Sequence, residues 1–393
     1  MVYNEKLQQI KLGLTSTVNK NWLLTRRLGE GAFGKVFEVM RPTRTSVRRA
    51  LKAELAGSDK IHESLKMEIQ VMKKLNTVGA VHCAQLYDVG KEKNFNYFVM
   101  TLLGMSLSEI RKRRPDEKVP LNQTIIVALQ SIDSLNEVHC CGYVHRDIKP
   151  SNFAIGADSS DLLYIFDFGI CREILYIDID DHKTKLRQPR RNVKFRGTPR
   201  YCTINAHRRK ELGRNDDLVS LMYMIFELLL GELPWKGMDR INTEQAKNEG
   251  ETELLARVPI HFSRAFQYLK SLTYFHTPNY EKVKDEFIAL AKEKKMKEPF
   301  KLDLMEGEKD KKRLRLPRKT SANEKNGLTG GSMPPKLAND FEMLEKFPVE
   351  DSCDEDDPTI SDTDSTAINP DSPISPAISG NGPLPQTSPT VKK

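Results

Sequence analysis

Apolar residues in the first hundred positions follow the spacings of strands and of one helix. Ile61, Leu65, Ile69, Met72 and Leu75 recur at helical spacing across residues 60–75. Four short runs are strand-like instead: Trp22–Thr25, Val36–Val39, Val47–Lys52 and Tyr97–Met100. The pattern therefore predicts a small antiparallel-sheet lobe with one main helix over residues 20–100.

The pattern changes beyond residue 101. Ile125, Leu129, Ile132 and Leu135 mark one face of an amphipathic helix. The stretch from Leu218 to Leu230 is apolar nearly all round, which is typical of a helix buried at the centre of a lobe. We therefore expect a larger, mainly helical lobe over residues 101–293, and an α+β, bilobal fold.

Two short motifs in the second lobe carry the chemistry. The first is the run His145 to Asn152, and Asp167-Phe168-Gly169 begins fifteen residues after its Asn. Phosphoryl transfer to a hydroxyl requires a group that takes or orients the hydroxyl proton, and side chains that hold the metal ions bridging the phosphates. Asp147 suits the first role, and Asn152 with Asp167 suits the second. Either motif alone could be chance, but together they predict transfer from ATP with Mg²⁺.

Gly29, Gly31 and Gly34 form a glycine-rich run ahead of these motifs. Glycine lets the backbone approach a phosphate because no Cβ intervenes. Dinucleotide-binding turns share this spacing, but a helix follows their glycines at once. Here strand-like runs lie on both sides of the glycines. The pattern therefore predicts a hairpin over the phosphates rather than a dinucleotide site.

Lys52 and Glu68 complete the candidate site. Lys52 follows Gly34 by eighteen residues on the next predicted strand, where it could pair with the α- and β-phosphates. Glu68 borders the apolar stripe of the predicted helix. Taken singly, Lys52 is one of many surface lysines and Glu68 is as readily a solvated glutamate. Within the full set we predict a Lys52–Glu68 ion pair.

The chain from about residue 18 to 292 resembles eukaryotic protein kinases, and within them the casein kinase 1 superfamily. The superfamily resemblance rests on Lys149–Phe153 and on Thr203-Ile204-Asn205, which stands where most kinases carry Ala-Pro-Glu. The chain is most similar to the tau-tubulin kinase branch, through these segments: Phe195–Tyr201, Asn205–His207, Gly213–Leu218, Leu233–Trp235 and Ser271–Phe275.

This resemblance implies a bilobal protein-kinase fold over residues 18–293, with ATP and Mg²⁺ as cofactors. It implies that Met100 is the gatekeeper, that Leu103 offers backbone groups to adenine, and that Asp217 braces the catalytic loop. Lys149 marks the Ser/Thr form of the loop and would contact the transferring phosphate. The implied ATP-binding set is Leu28, Gly29, Gly31, Phe33, Gly34, Val36, Ala50, Lys52, Met100 and Leu103.

Composition bears on the compartment. No apolar run is long enough for a membrane span, the first residues are polar, and Val2 stands where myristoylation requires a glycine. We therefore expect no membrane partner. The six cysteines show no metal-ligand spacing, and reduced thiols in a cytoplasmic or nuclear monomer are the expectation. They are Cys83, Cys140, Cys141, Cys171, Cys202 and Cys353.

The ends of the chain differ from its centre. We expect a short leader at residues 1–17, a basic linker at 294–319 and a disordered, acidic Ser/Thr/Pro-rich tail at 320–393. The basic run over 309–319 could be a nuclear-import signal, a polyanion contact or a solvated linker. Residues 340–393 hold twelve Asp or Glu against three Lys, a net charge of −9. Residues 1–339 therefore carry +17, because the whole chain carries +8.

The activation segment, residues 167–205, is strongly basic. Arginine clusters pair well with phosphate and carboxylate, so a positive groove would favour acidic or already phosphorylated substrates. Arg196, Thr198 and Arg200 are the candidate substrate-binding residues; a solvated basic loop is the alternative. The segment contains Lys183, Lys185, Arg187, Arg190, Arg191, Lys194, Arg196 and Arg200 among its basic residues.

The sequence leaves two alternatives open and disfavours a third. The tail contains Ser and Thr residues among acidic ones, so it could be phosphorylated and lie in the basic groove, or it could merely solubilise the chain. A pseudokinase scaffold that binds acidic partners through its basic face is the non-enzyme alternative, although the catalytic lysine, aspartates and asparagine are all present. Nucleic-acid binding is not expected, because few aromatics are interleaved with the basic residues.

Overall fold

A computed structural model describes residues 12–30, 34–56, 59–158 and 161–305. The small lobe is an antiparallel six-stranded sheet in the order β1-β2-β3-β4-β6-β5. Its strands are β1 (Thr17–Val18), β2 (Trp22–Glu30), β3 (Gly34–Arg41), β4 (Arg44–Leu55), β5 (Leu86–Lys91) and β6 (Phe95–Thr101). Each predicted strand-like run lies within one of these strands, so the prediction of a small sheet lobe is confirmed.

One face of this sheet has its own apolar core. Trp22, Leu24, Phe37, Leu51 and Val99 are almost fully buried in it. They come from four neighbouring strands. The central strand β4 pairs with β3 on one side and β6 on the other, with Lys52 opposite Val36 and Phe98. This double pairing fixes the position of Lys52.

The helix α1 (Asp59–Thr77) packs on the opposite face of the sheet. Leu65, Ile69, Met72 and Leu75 are buried, as their helical spacing predicted. The Ile61 side chain lies outside the described residues. Glu68 shares the buried face and is only 2% exposed, so it points inward rather than into solvent.

The large lobe is mainly helical, with short strands around the catalytic loop. Its helices are α2 (Leu107–Lys112), α3 (Leu121–Cys140), α4 (Ile204–His207), α5 (Arg214–Leu230), α6 (Arg240–Glu249), α7 (Glu251–Ala256), α8 (Ile260–Ser271) and α9 (Tyr280–Glu293). Its strands are β7 (Leu103–Ser106), β8 (Tyr143–Val144), β9 (Phe153–Gly156), β10 (Leu163–Ile165), β11 (Arg172–Glu173), β12 (Leu175–Ile177) and β13 (Thr184–Leu186).

Helix α5 forms the centre of this lobe. Residues 215–228 of α5 are all buried, which confirms the helix predicted from the all-round apolar stretch. Phe226 packs against Phe262 and Phe266 of α8, and Tyr223 meets the Trp235 ring edge-on. Aromatic burial of this extent makes α5 a rigid base for the loops above it.

The packed domain does not end with α9. Leu302 and Leu304 are each 1% exposed and pack on the core of the large lobe. The Gln123 side chain accepts a hydrogen bond from the Asp303 amide over 2.7 Å, and Arg114 donates to the Leu304 carbonyl over 2.9 Å. The boundary expected at residue 293 thus falls inside the packed domain, because alternating apolar residues follow the basic ones there.

The expected tail at 320–393, and most of the expected linker, lie outside the described residues. None of the helices in the described part of the chain combines the length and the apolar character that a bilayer span requires.

Candidate active site

The catalytic loop is held from below by Asp217, at the start of α5. Its Oδ2 accepts the His145 amide over 2.6 Å, and its Oδ1 accepts the Arg146 amide over 2.8 Å. His139 of α3 also bonds to Oδ2, over 2.9 Å. Burial alone would raise the pKa of Asp217, but these hydrogen bonds and the nearby histidines outweigh it and lower the pKa. Asp217 thus makes the bracing contacts that the resemblance implied.

Asp147 is oriented by partners on both carboxylate oxygens. Thr198 Oγ1 donates to Oδ1 over 2.7 Å, and Lys149 Nζ donates to Oδ2 over 2.5 Å. The Asn152 amide nitrogen donates to the Asp147 backbone carbonyl over 2.9 Å. The structure therefore brings together three residues of the catalytic loop and Thr198 of the activation segment, in the arrangement that a proton acceptor near a hydroxyl requires.

His145 joins the catalytic loop to the second motif. Its Nδ1 lies 3.3 Å from the Asp147 amide, and its Nε2 lies 3.3 Å from the Phe166 carbonyl. This pair of contacts assigns the proton to Nε2, since an amide donates and a carbonyl accepts. The His145 ring also meets the buried Phe168 ring edge-on, with centroids 5.6 Å apart. Phe168 packed inward in this way leaves Asp167 on the side of the ATP site.

Lys52 lies within reach of three carboxylates. Its Nζ is 2.5 Å from Glu68 Oε2, 3.4 Å from Glu54 Oε1 and 3.9 Å from Asp167 Oδ1. Burial opposes the positive charge, but the carboxylates together outweigh burial and raise the pKa of Lys52 well above its usual range. The predicted Lys52–Glu68 pair is present, and it links β4 to α1 in the geometry that phosphate binding requires.

Asn152 and Asp167 fit a divalent metal ion by their chemistry. Because the Asn152 amide nitrogen donates to Asp147, its amide oxygen is free to act as a ligand. The Asp167 side chain is 48% exposed, at a residue with left-handed backbone (φ +70°). No cluster of three or more His, Cys, Asp or Glu suited to a metal occurs in the described part of the chain. An ion at this site would take its other ligands from phosphates and water.

The residues expected around adenine meet only in part. Val36, Ala50, Met100 and Leu103 belong to one apolar cluster, and Met100 pairs with Ala50 across β4 and β6. Leu28 is 37% exposed and lies outside this cluster. Gly31 and Phe33 lie outside the described residues.

The described glycines of the run, Gly29 and Gly34, have different surroundings. A Cβ at Gly29 would meet nothing within 4 Å. At Gly34 it would clash with the Ala53 carbonyl, so β4 itself requires a glycine there.

A cavity of about 430 Å³ opens beside Asp147. Lys149, Thr198 and Arg200 line it, together with Ser108, Trp235 and Met238. Two cationic side chains and no Asp or Glu are among its lining residues. The predicted substrate-binding residues Thr198 and Arg200 therefore lie together at this cavity. Arg196 does not: it lines a separate, smaller cavity with Arg146 and Glu211.

Fewer basic side chains of the activation segment are left unpaired by the fold than its composition suggested. At least four of the nine basic side chains of the segment, which include Arg172, pair with acidic residues of this chain: Lys185 with Asp178, Arg187 with Glu173, Arg190 with Glu211 and Arg200 with Glu227. A large part of the expected positive charge is therefore paired within the fold.

Two residues that the sequence reasoning missed hold the wall of the cavity. Glu227 of α5 is fully buried and accepts from Tyr201 over 2.5 Å and from Arg200 over 3.1 Å. Lys247 of α6 is 1% exposed and donates to the carbonyls of Pro199 and Cys202, each over 2.6 Å. Burial lowers the pKa of Lys247 to about 8. The sequence offered one signal for Glu227, a charged residue in the otherwise apolar stretch of α5, and none for Lys247.

Comparisons with known proteins agree with this geometry. Residues 22–301 match the model of the protein kinase domain. The chain is 37% identical over 278 residues to a probable serine/threonine-protein kinase of Dictyostelium discoideum, covering 70% of this chain and 54% of that protein. It is 30% identical over 339 residues to the serine/threonine-protein kinase spe-6 of Caenorhabditis elegans, covering 80% and 87%. It is 31% identical over 279 residues to the casein kinase I homolog RAG8 of Kluyveromyces lactis, covering 68% and 50%.

The bilobal fold and the assembled catalytic loop define a phosphotransferase that uses ATP and a divalent metal ion. The chain belongs to the protein kinase family. Its kinase domain is of the serine/threonine class, with relatives named casein kinase I. The chain spans about half the length of the Dictyostelium and Kluyveromyces relatives.

Proposed function

We propose that this kinase phosphorylates Ser and Thr residues in acidic or already phosphorylated segments of proteins. One observation carries the proposal: the cavity beside Asp147 is lined by Lys149 and Arg200 and by no carboxylate, although each cation also pairs with a carboxylate outside the lining, Lys149 with Asp147 and Arg200 with Glu227. An acidic or phosphorylated side chain next to the target hydroxyl would find charge-assisted hydrogen bonds there. A basic side chain would meet repulsion.

The contacts of the site residues support the following proposed roles. Asp147, fixed by Thr198 and Lys149, accepts or orients the proton of the substrate hydroxyl. Lys149 contacts the transferring phosphoryl group from the same side. Lys52, held by Glu68, pairs with the α- and β-phosphates.

Asn152 and Asp167 are the residues that would hold the metal ion, which we propose to be Mg²⁺. When bound, the ion neutralises charge on the phosphates. Val36, Ala50, Met100 and Leu103 form the apolar surface against adenine.

The preference for acidic substrates is tested by changing the charge of the cavity. Ser108 lines it from α2, so Ser108→Asp adds one negative charge, and Ser108→Asn is the neutral control of similar size. We expect Ser108→Asp to lower kcat/KM for acidic and phosphoserine peptides by roughly tenfold, while a neutral peptide changes little. Ser108→Asn should resemble the wild type. Equal turnover of acidic and basic peptide libraries by the wild type would sink the proposal, and Asp147→Asn supplies the inactive reference.

Within the superfamily we propose the tau-tubulin kinase branch. The segments that support it include Phe195–Tyr201 and Leu233–Trp235. A phosphoproteome comparison between wild-type and Asp147→Asn backgrounds would identify the physiological substrates. Substrates dominated by basic surroundings would count against the assignment.

We also propose that the acidic tail, once phosphorylated, competes for the same cavity. The net charge of −9 over residues 340–393 supports this. Because Leu302 and Leu304 pack on the domain, the tail-free comparison must end after residue 305 rather than near 295. Autophosphorylated full-length enzyme should then turn over a peptide more slowly than the truncated chain. Equal activity would rule the contact out.

We propose a monomer in the cytoplasm, the nucleus or both. The basic run over residues 309–319 supports nuclear import. Sedimentation of the purified chain, and imaging of a fluorescent fusion with and without this run, would test the two statements separately.

A further inference from the structure

Glu211 is a nearly buried carboxylate surrounded by arginines of the activation segment and the catalytic loop. It lies between α4 and α5, and its side chain is 3% exposed. Arg190 makes a bidentate ion pair with it, with Nε 2.6 Å from Oε2 and Nη2 3.3 Å from Oε1. Arg146 lies farther from it, with Nη1 4.0 Å from Oε1. One carboxylate thus joins two arginines that are far apart in sequence.

Arg146 ties this carboxylate to the chemistry. Its guanidinium donates to the Ile170 carbonyl over 2.8 Å and to the Cys171 carbonyl over 3.3 Å, directly after the Asp167-Phe168-Gly169 motif. Its backbone precedes Asp147 and is itself left-handed, with φ +68°. A shift of the Arg146 side chain would therefore move both the catalytic loop and the start of the activation segment.

The charge around Glu211 is unbalanced. A cavity of about 10 Å³ lies against it and is also lined by Arg146, Lys194, Arg196 and Lys210. With Arg190, five cationic side chains thus contact Glu211 or line the small cavity against it. Burial alone would raise the pKa of Glu211, but the hydrogen bonds and charge of Arg190 and the charge of Arg146 outweigh it and lower the pKa. The carboxylate is held in its ionised form.

A cluster of this kind is the usual receptor for a phosphate that orders an activation segment, since a phosphate acts there through charge-assisted bonds to arginines. We propose that Glu211 is a positioning residue that supplies this anion from within the chain. The domain then holds its catalytic loop and activation segment together without a phosphate on the activation segment. The inference rests on the kinase activity of the domain and not on its preference for acidic substrates.

The test uses the full-length chain and two variants. Glu211→Ala removes the carboxylate and enlarges the small cavity, so inorganic phosphate or sulfate can enter it. Glu211→Gln keeps the size and removes the charge. We expect both to lower kcat by roughly tenfold or more, because the loop that carries Asp147 is misplaced. The KM for ATP should change far less, since the Lys52 pair is untouched.

Rescue distinguishes a positioning charge from a merely structural residue. Millimolar sulfate or phosphate should restore much of the kcat of Glu211→Ala, and sodium chloride at the same ionic strength should not. Glu211→Gln should not be rescued, because its amide fills the space. Glu286→Ala is the matched control: Glu286 of α9 accepts from His261 of α8 over 2.8 Å, and its removal should give neither loss nor rescue.

The wild type adds a measurement that needs no variant. Phosphatase-treated enzyme should keep its full kcat once mass spectrometry shows that its activation segment carries no modification. Loss of activity on that treatment would overturn the proposal. So would folded Glu211→Ala and Glu211→Gln with wild-type kcat, or a loss of kcat in Glu211→Ala that neither anion restores.

Discussion

Thr198 donates its hydroxyl hydrogen to Asp147 Oδ1 over 2.7 Å, so the activation segment holds the catalytic carboxylate directly. Lys149 occupies the other oxygen, over 2.5 Å. A carboxylate that is bonded on both oxygens has a single orientation available to it. The orientation of this carboxylate, which we propose as the proton acceptor, therefore depends on residues that lie about fifty positions apart in the chain.

Replacing Thr198 by Val should lower kcat by roughly 10- to 100-fold, because valine keeps the shape of threonine but cannot donate to Asp147. We propose that ATP binding depends on Lys52 and Glu68, so the Kd for ATP should stay near the wild-type value. Thr198→Ser retains the hydroxyl and should retain most of the activity. Steady-state kinetics and a nucleotide-binding titration separate the two effects. Equal kcat for the Val and Ser variants would show that the hydrogen bond has no catalytic role.

Gly197→Ala should destabilise the domain by more than the backbone strain of a positive φ alone. Gly197 has φ +98°, and a Cβ there would stand 2.7 Å from the Arg146 carbonyl oxygen. Gly79 has φ +69° with nothing within 4 Å, so Gly79→Ala is the control for backbone strain without a clash. The strain costs about 1–2 kcal/mol. Urea unfolding of both variants measures the difference in stability. Equal losses of unfolding free energy would show that the catalytic loop shifts to accommodate the added Cβ.

The sequence predicted those parts of the site that are local in the chain. The motif from His145 to Asn152, the Asp167 motif and the alternation that places Lys52 on a strand are all short-range patterns. Glu68 borders the apolar stripe of its helix, and the full set of motifs decided in favour of an ion pair over a solvated side chain. These residues were predictable because each belongs to a short-range pattern and the patterns support one another.

Residues whose partners are distant in the sequence could not be predicted in the same way. Glu211 stands in a polar segment between two helices, and only the fold brings Arg146 and Arg190 to it. Lys247 belongs to a helix of mostly polar residues, where a buried lysine looks like a solvated one. The pairing of Arg190 and Arg200 with buried glutamates likewise reduces a positive surface that composition alone overstates.

The end of the domain gives a prediction about stability. Leu302→Ala and Leu304→Ala should each cost about 2–5 kcal/mol in the free energy of unfolding, because each side chain is buried against the large lobe. Lys301→Ala is the control, since that side chain is 72% exposed. Urea unfolding of the full-length chain checks all three. If the leucine variants unfold like Lys301→Ala, the segment after α9 does not contribute to the core.

His207 should make the stability of the domain depend on pH below neutrality. Its ring is 4% exposed, packs near Phe195 and has Nε2 3.3 Å from Lys247 Nζ. Burial, and then the charge of Lys247, lower the pKa of His207 from 6.5 to about 4. Arg240 lowers it further, whereas Glu244 opposes the shift.

The direction of this pH dependence follows from the proton binding of His207 in the folded and unfolded chains. Between pH 6.5 and 4 the unfolded chain binds a proton at this histidine and the folded chain does not, so stability falls as the pH falls. The contribution is complete above pH 6.5 and is lost by about pH 4, with an upper bound of about 3 kcal/mol. Urea unfolding at a series of pH values should therefore show a shallower fall for His207→Gln than for the wild type. His276→Gln removes an exposed histidine and should leave the wild-type slope unchanged. A wild-type slope in His207→Gln would mean that other groups cause the acid sensitivity.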